Sequence, residues 1–214
     1  MAGLPLKYPI YIVSKGRWDN GKTYKIFLNA NIDFKVVVEP QEADLYAQNI
    51  PRENIAVLPF SNLGLGSYPA RNWAWEDSIE RGFDKHLIFD DNIRSFATLN
   101  NGKRVFKTSA KTAIESLIKF TERFERVAMS GFNYSYFVTK QTNKPFFINT
   151  HVYSGILINN KIPFRWRLKY NKARSLEQIW PQYVKTVIRF NRPHHMVDWK
   201  SHFKHPLIKA KQTA

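Results

Sequence analysis

Two adjacent carboxylates, Asp90 and Asp91, end the apolar run His86-Leu87-Ile88-Phe89 and are followed at once by Asn92, Ile93 and Arg94. Asp and Asn favour turns, yet two like charges held this close repel. A divalent cation relieves that repulsion, and Mg²⁺ or Mn²⁺ with hard oxygen ligands also bridges the phosphates of a nucleotide. The pair is therefore expected to hold a metal beside a phosphorylated ligand. Lys15, Arg17, Arg71 and Arg94 are candidate phosphate clamps, because arginine offers an oxyanion two parallel hydrogen bonds. Gly64-Leu65-Gly66 precedes an expected helix and can present backbone N–H groups to a phosphate. It lacks the Gly-Lys-Ser/Thr core of a P-loop.

A second cluster comes late, with His194, His195 and Asp198 followed by His202 and His205. These residue types suit a metal shell or an acid–base group. No His-Glu-x-x-His pattern accompanies them, so a zinc protease is unsupported. Trp166, Tyr170 and Phe203, interleaved with Lys and Arg, are candidate base-stacking platforms. The remaining tryptophans and most phenylalanines read as core.

The elements that must position these residues alternate. Strands are expected at Tyr8–Val13, Phe34–Val38, Ile55–Leu58 and His86–Phe89, with helices over Thr23–Ala30, Gln41–Gln48 and about Pro69–Arg81. Ser67 before Pro69 fits a helix start. Repeated strand–helix units with short loops predict an α/β fold, a mostly parallel central sheet with helices on both faces. Ligands bind such sheets at the carboxyl ends of the strands. Ser14–Arg17, Glu39, Gly64–Ser67 and Asp90–Asn92 all fall there. Later segments are less regular: a helix over Lys111–Arg126, short strands at Val127–Ser130, Tyr134–Val138, Phe146–Asn149 and Ile156–Ile158, and a helix over Leu176–Phe190.

Charge divides the chain. Residues 1–99 hold 11 Lys/Arg and 12 Asp/Glu, whereas residues 100–214 hold 22 and 5. Clustered positive charge releases counterions from nucleic acid, so the second half is expected to face a polyanion. With 43% hydrophobic and 15% aromatic residues the chain is globular, and 214 residues suffice for one domain with a real core. The absence of cysteine excludes disulfides and thiolate metal sites and fits a reducing cytoplasm. No apolar stretch is long enough to span a membrane, and the N-terminus lacks a signal-peptide core.

The blocks YPIYIVSKGRW, FKVVVEPQE, LPFSNLGLGSYPARNWAWE and LIFDDNIRSF, and further on NTHVYSGILINNKIPFRWRLKYN and RFNRPHHMVDW, stand in an order and spacing that resembles the TET-associated glycosyltransferases. These are GT-A-type enzymes of phages and related elements, implicated in DNA base hypermodification. The resemblance implies a single GT-A-like, Rossmann-like domain over 1–214, with residues 1–99 holding a UDP-sugar and residues 100–214 holding the acceptor. The implied acceptor is 5-hydroxymethylcytosine in DNA, flipped out of the duplex, and the implied compartment is the host bacterial cytoplasm. Asp90, Asp91 and Asn92 match the metal-binding acidic motif, with Mn²⁺ or Mg²⁺ expected. Ser14, Lys15, Gly16, Arg17, Glu39, Gly66, Arg71, Asn72 and Arg94 match donor-facing loops. Thr150, His151 and Tyr153, with Arg165 and Arg167, would face the acceptor. His194 or His195 would reach the metal, and Asp198 would act as base. Where relatives carry an acidic run after RLKYN, this chain has Lys172-Ala173-Arg174-Ser175. Three alternatives stay open: a DNA-binding module on a transferase fold, a nucleotidyltransferase, and a transferase whose acceptor is a protein or glycan.

Overall fold

The computed structural model describes residues 6–138, 146–148, 152, 154–162, 165–166 and the backbone of 187–193. The first half alternates as its hydrophobic runs dictate: β1 (Ile10–Val13), α1 (Lys22–Asn29), β2 (Lys35–Val38), a 3₁₀ turn (Pro40–Glu42) running into α2 (Ala43–Tyr46), β3 (Ile55–Val57), α3 (Tyr68–Glu80) and β4 (Lys85–Asp90). A hairpin of β5 (Phe96–Asn100) and β6 (Lys103–Thr108) follows, then α4 (Ala110–Thr121) and β7 (Met129–Asn133). The remaining strands are β8 (Phe146–Phe147), β9 (Gly155–Asn159) and β10 (Val187–Pro193).

Eight strands form one sheet in the order β3-β2-β1-β4-β9-β7-β10-β8, and β5 and β6 pair separately. The first four strands are mutually parallel, as is β7 with β10. β9 runs antiparallel to both β4 and β7, and β8 antiparallel to β10.

Alternation along the strands sorts side chains into two cores. Ile10, Ile12, Val36, Val38, Leu87 and Phe89 face one side, where α1, α2 and α4 supply Tyr24, Phe27, Tyr46, Ile114 and Leu117. Tyr11, Val37, Ile88, Ile156 and Ile158 face the other, against Ala70, Ala74 and Trp75 of α3. Helices thus cover both faces, and this is why the parallel strands read as unbroken apolar runs instead of alternating ones. Phe27 sits among Phe34, Phe89 and Phe96, with ring centroids 5.8, 5.1 and 6.3 Å away. Each such buried ring contributes about 1.5–3 kcal/mol.

Three local expectations change. α4 ends at Thr121, not Arg126. The strand expected at Tyr134–Val138 is a 3₁₀ turn over Ser135–Phe137, and the strand lies just before it in β7. Residues 187–190, read as the end of a helix, are instead strand, where β-branched Val187 and Ile188 pair in parallel with Met129 and Ser130. The remainder of that expected helix lies outside the described residues. The β5–β6 hairpin carries no apolar alternation strong enough to announce it.

β9 can lie against β4 because Gly155 lacks a side chain. A Cβ there would stand 2.7 Å from Phe89 and 3.0 Å from Phe132. The close fit brings Ser154 to Asp90, whose N–H donates to the Ser154 carbonyl at 2.9 Å.

Candidate active site

A cleft of about 420 Å³ opens where β1, β2, β3 and β4 end, lined by Ser14, Lys15, Arg17, Glu39, Gly66, Ser67 and Asp90–Asn92 together with apolar Val13, Leu58, Phe60 and Leu63. The volume falls within the range of small-ligand sites.

The two carboxylates are held differently. Asp90 ion-pairs through one oxygen with the buried guanidinium of Arg71, and its other oxygen accepts from Ser154 Oγ at 2.6 Å. Both of its oxygens are therefore committed to protein. Asp91 Oδ2 accepts from Ser14 Oγ at 2.7 Å, while its Oδ1 lies 3.4 Å from the Arg17 guanidinium. Burial pushes the Asp91 carboxyl above its ordinary range, and Asp90 adds to the rise, against the opposing pull of Ser14 and Arg17. Negative charge at Asp91 is thus under-compensated, which is the condition a cation would relieve.

The backbone at this turn is fixed by α1. Gly21 precedes the helix and offers no side-chain cap. The Asp91 carbonyl instead accepts from the N–H groups of Lys22 and Thr23 at 2.9 and 3.2 Å, satisfying donors that every helix start leaves open. Thr23 Oγ1 donates to the Asp90 carbonyl at 2.6 Å and accepts from Ile93 N–H at 2.9 Å.

The β1 loop is anchored from below. Gly16, at a φ of 66°, donates its N–H to both oxygens of Glu42 at 3.0 Å. Arg17 N–H donates to Tyr46 Oη at 3.2 Å, and Tyr46 Oη lies 2.5 Å from Ser14 Oγ. Because Ser14 gives its own proton to Asp91, the consistent direction is Arg17 N–H to Tyr46, Tyr46 to Ser14, Ser14 to Asp91. A buried tyrosine on α2 thereby orients the carboxylate.

The β2 loop closes on the same cleft. Glu39 Oε2 accepts from Lys15 Nζ at 2.7 Å, Gln41 Nε2 at 2.6 Å and Asn62 N–H at 3.1 Å. Burial pushes the Glu39 carboxyl up, but these hydrogen bonds outweigh it and hold the group below its ordinary value. Lys15 also donates to Asn62 Oδ1 at 3.0 Å. Gly64 and Gly66 take positive φ of 68 and 64° in the turn that leads to the N-terminus of α3. Ser67 does not cap α3 as its sequence position suggests. Its Oγ accepts from Arg71 Nε at 3.2 Å and steadies the guanidinium on its way to Asp90.

The remaining sequence candidates stand apart. Arg94 is exposed and does not line the cleft. Asn72 turns its amide to Trp166, donating to the carbonyl and accepting from the N–H, each at 2.7 Å. Trp166 is buried, with the Arg71 guanidinium 5.2 Å from its ring centre, so it is no exposed stacking platform. Arg165 pairs with Glu76 and lies 4.8 Å from the Trp75 ring centre. Thr150, His151, Tyr153, Arg167, Tyr170, His194, His195, Asp198, His202, Phe203 and His205 fall outside the described residues. Among the described residues no group of three or more His, Cys, Asp or Glu is arranged to hold a metal. Sequence reasoning missed Thr23, Glu42, Tyr46 and Ser154. Only Ser154-Gly155 at the head of the apolar run Ile156-Leu157-Ile158 carried a signal.

Parallel strand ends converging on a cleft, with an acidic pair closing β4, define an α/β protein with its ligand site at the carboxyl ends of the strands. The chain belongs to the TET-associated glycosyltransferase family, whose model matches residues 8–196, and it is accordingly a glycosyltransferase. Two solved structures of HddC from Yersinia pseudotuberculosis also align with it. The one complexed with GMP-PN is 10% identical, covering 92% of this chain and 97% of that one at a TM-score of 0.47. The other is 9% identical, covering 88% and 93% at 0.47. None of the curated proteins compared matches the chain. No helix among the described residues is long and apolar enough to cross a membrane.

Proposed function

We propose that the protein transfers a sugar from a UDP-sugar to the hydroxyl of 5-hydroxymethylcytosine, or a related hydroxylated base, in DNA. One observation carries the donor half of this reading: Asp91 lines a cleft that also holds Lys15, Arg17 and the N-terminus of α3. Cations and helix N–H groups there would bind a diphosphate. The residues fit a single carboxylate ligand for Mn²⁺ or Mg²⁺ at Asp91, with Asp90 held back by Arg71 and Ser154. His194 or His195 would add a ligand. Such a cation supplies Lewis-acid stabilisation of the departing diphosphate.

In the reaction the acceptor oxygen bonds to the anomeric carbon as the bond from that carbon to the diphosphate breaks, and the electron pair leaves with UDP. Lys15 and Arg17 share the charge that develops on the leaving group. The hydroxyl proton passes to a general base, a role we assign to Asp198. The excess of cations after residue 99 supports a polyanionic acceptor.

The test combines the protein, Mn²⁺, a panel of UDP-sugars and 5-hydroxymethylcytosine DNA, with nucleoside masses and released UDP as readouts. A hexose or pentose mass gain is expected, lost in Asp91→Ala. No gain with any donor, together with unchanged UDP and Mn²⁺ binding by Asp91→Ala, refutes the proposal. Pyrophosphate release from a nucleoside triphosphate would point to a nucleotidyltransferase instead.

A further inference from the structure

The β5–β6 hairpin stands outside the main sheet and begins at Phe96, directly after the Asp90–Arg94 turn. Asn101 and Gly102 close it, at positive φ of 47 and 71°. This is the backbone that a tight two-residue hairpin turn requires. The inner strand β5 is anchored, with Phe96 and Ala97 buried. The outer strand is not: Lys103, Arg104, Val105, Phe106 and Lys107 are all exposed, Phe106 at 54%.

The pairing is irregular where it matters. Phe96 lies opposite Thr108 and Thr98 opposite Val105, so Phe106 and Lys107 together face Ala97. A bulge of this kind re-aims side chains and recurs beside active sites. Here it sets an aromatic ring and a cation side by side on the solvent edge.

The charge around it has one sign. Residues 92–114 contain Arg94, Lys103, Arg104, Lys107 and Lys111 and no Asp or Glu. Among the described residues, none of these five enters an ion pair. Arg104 donates to the Ser135 carbonyl at 3.0 Å, tying the hairpin to the body of the protein. An unneutralised cationic ribbon presenting an exposed ring matches the chemistry of a nucleic acid, with phosphates for the lysines and a base face for the phenylalanine.

We propose that the β5–β6 hairpin engages the DNA next to the acceptor base, with Lys103 and Lys107 on phosphates and Phe106 stacked where the acceptor base leaves the helix. Inserted apolar side chains stabilise unstacked steps in this way. The assignment rests on the reading of a DNA acceptor given above.

Full-length protein is titrated into labelled 5-hydroxymethylcytosine duplex across a range of salt, with fluorescence anisotropy as readout. A Lys103→Gln/Lys107→Gln variant is expected to flatten the slope of log affinity against log salt by about 1.8, at about 0.9 per phosphate contact. Phe106→Ala is expected to weaken binding about 5- to 150-fold with the slope unchanged, the range for loss of one stacked base. It should also abolish the fluorescence rise of a 2-aminopurine placed beside the acceptor. UDP binding by calorimetry should match the wild type in both variants, which verifies their fold. Wild-type affinity and slope in both variants overturn the hairpin's role and leave the DNA acceptor standing. A wild-type protein that binds no DNA at low salt overturns both.

Discussion

Replacing Arg71 by methionine removes the guanidinium from Asp90 while keeping an apolar stem beside Trp166. The Arg71 and Asp90 side chains are only 7% and 16% exposed, so water cannot readily replace the lost partner. Breaking a buried pair from one side costs about 3–5 kcal/mol, because the surviving charge is left uncompensated. Ser154 still donates to Asp90, which places the expected loss near the lower end, about 3 kcal/mol. For a chain of this length that corresponds to a fall in melting temperature of about 6–12 °C, at about 2–4 °C per kcal/mol. Adding Asp90→Asn removes the stranded charge, and the double variant should recover at least about 1 kcal/mol, the coupling expected of contacting residues. Urea and thermal melts of the four proteins in the cycle provide the assay. A single-variant loss below about 1 kcal/mol, the range of a solvated surface pair, would refute the reasoning. So would strictly additive losses, which mean that the two groups do not interact.

Asp91→Asn should raise the melting temperature of the ligand-free protein while abolishing transfer. A carboxyl whose folded pKa is raised contributes stability present below its unfolded value and lost as pH climbs through the folded one, so at neutral pH ionised Asp91 costs stability. Added Mn²⁺ should stabilise the wild type and leave the variant unmoved, and a retained Mn²⁺ shift would count against Asp91 as ligand. Tyr46→Phe should cost about 1–2 kcal/mol, the price of stranding a buried hydrogen-bonding group, and weaken UDP binding measured by calorimetry. Unchanged UDP affinity would show that the Arg17–Tyr46–Ser14–Asp91 chain does not position the site. His86 is fully buried, donates from Nδ1 to Asn160 Oδ1 at 2.6 Å, and burial pulls its pKa down to about 4. Its neutral form is favoured on folding, so about 3 kcal/mol of stability should drain away as pH falls from about 6.5 to about 4. Denaturant melts across that window should show the slope, and His86→Leu should flatten it; an equal slope in the variant rules the assignment out.

The cleft side of the molecule was readable because its signals are local and repetitive. β1, β2 and β4 are short apolar runs, each broken by a polar residue at the carboxyl end, and the topology of parallel sheets places those ends together. Ser14, Glu39 and Asp90 could be named from that pattern alone. Tyr46 and Glu42 could not, since a Tyr on a short helix and a Glu in the 3₁₀ turn before it read as ordinary surface until the fold turns them under the β1 loop. The antiparallel course of β9 was invisible for another reason: Ile156–Ile158 has the same apolar pattern in either direction. At β10, residues whose spacing also fits a helix were decided by pairing with β7, a contact made across more than fifty residues of sequence. The bulge in β6 depends on register, which composition does not encode.

The reversed course of β9 changes what a strand can deliver. A parallel strand presents its last residues to the cleft, whereas β9 presents its first, so the chain enters the sheet at the point where β4 leaves it. Ser154 then seals Asp90 through both backbone and side chain. A fragment cut at the charge boundary near residue 99 would lose this seal, exposing the free edge of β4 and one oxygen of its carboxylate. The near-neutral half therefore depends on the basic half for the integrity of its own site. Any attempt to reconstitute the transferase from two pieces should divide it within a loop far from that seam, with β4 and β9 kept on the same polypeptide.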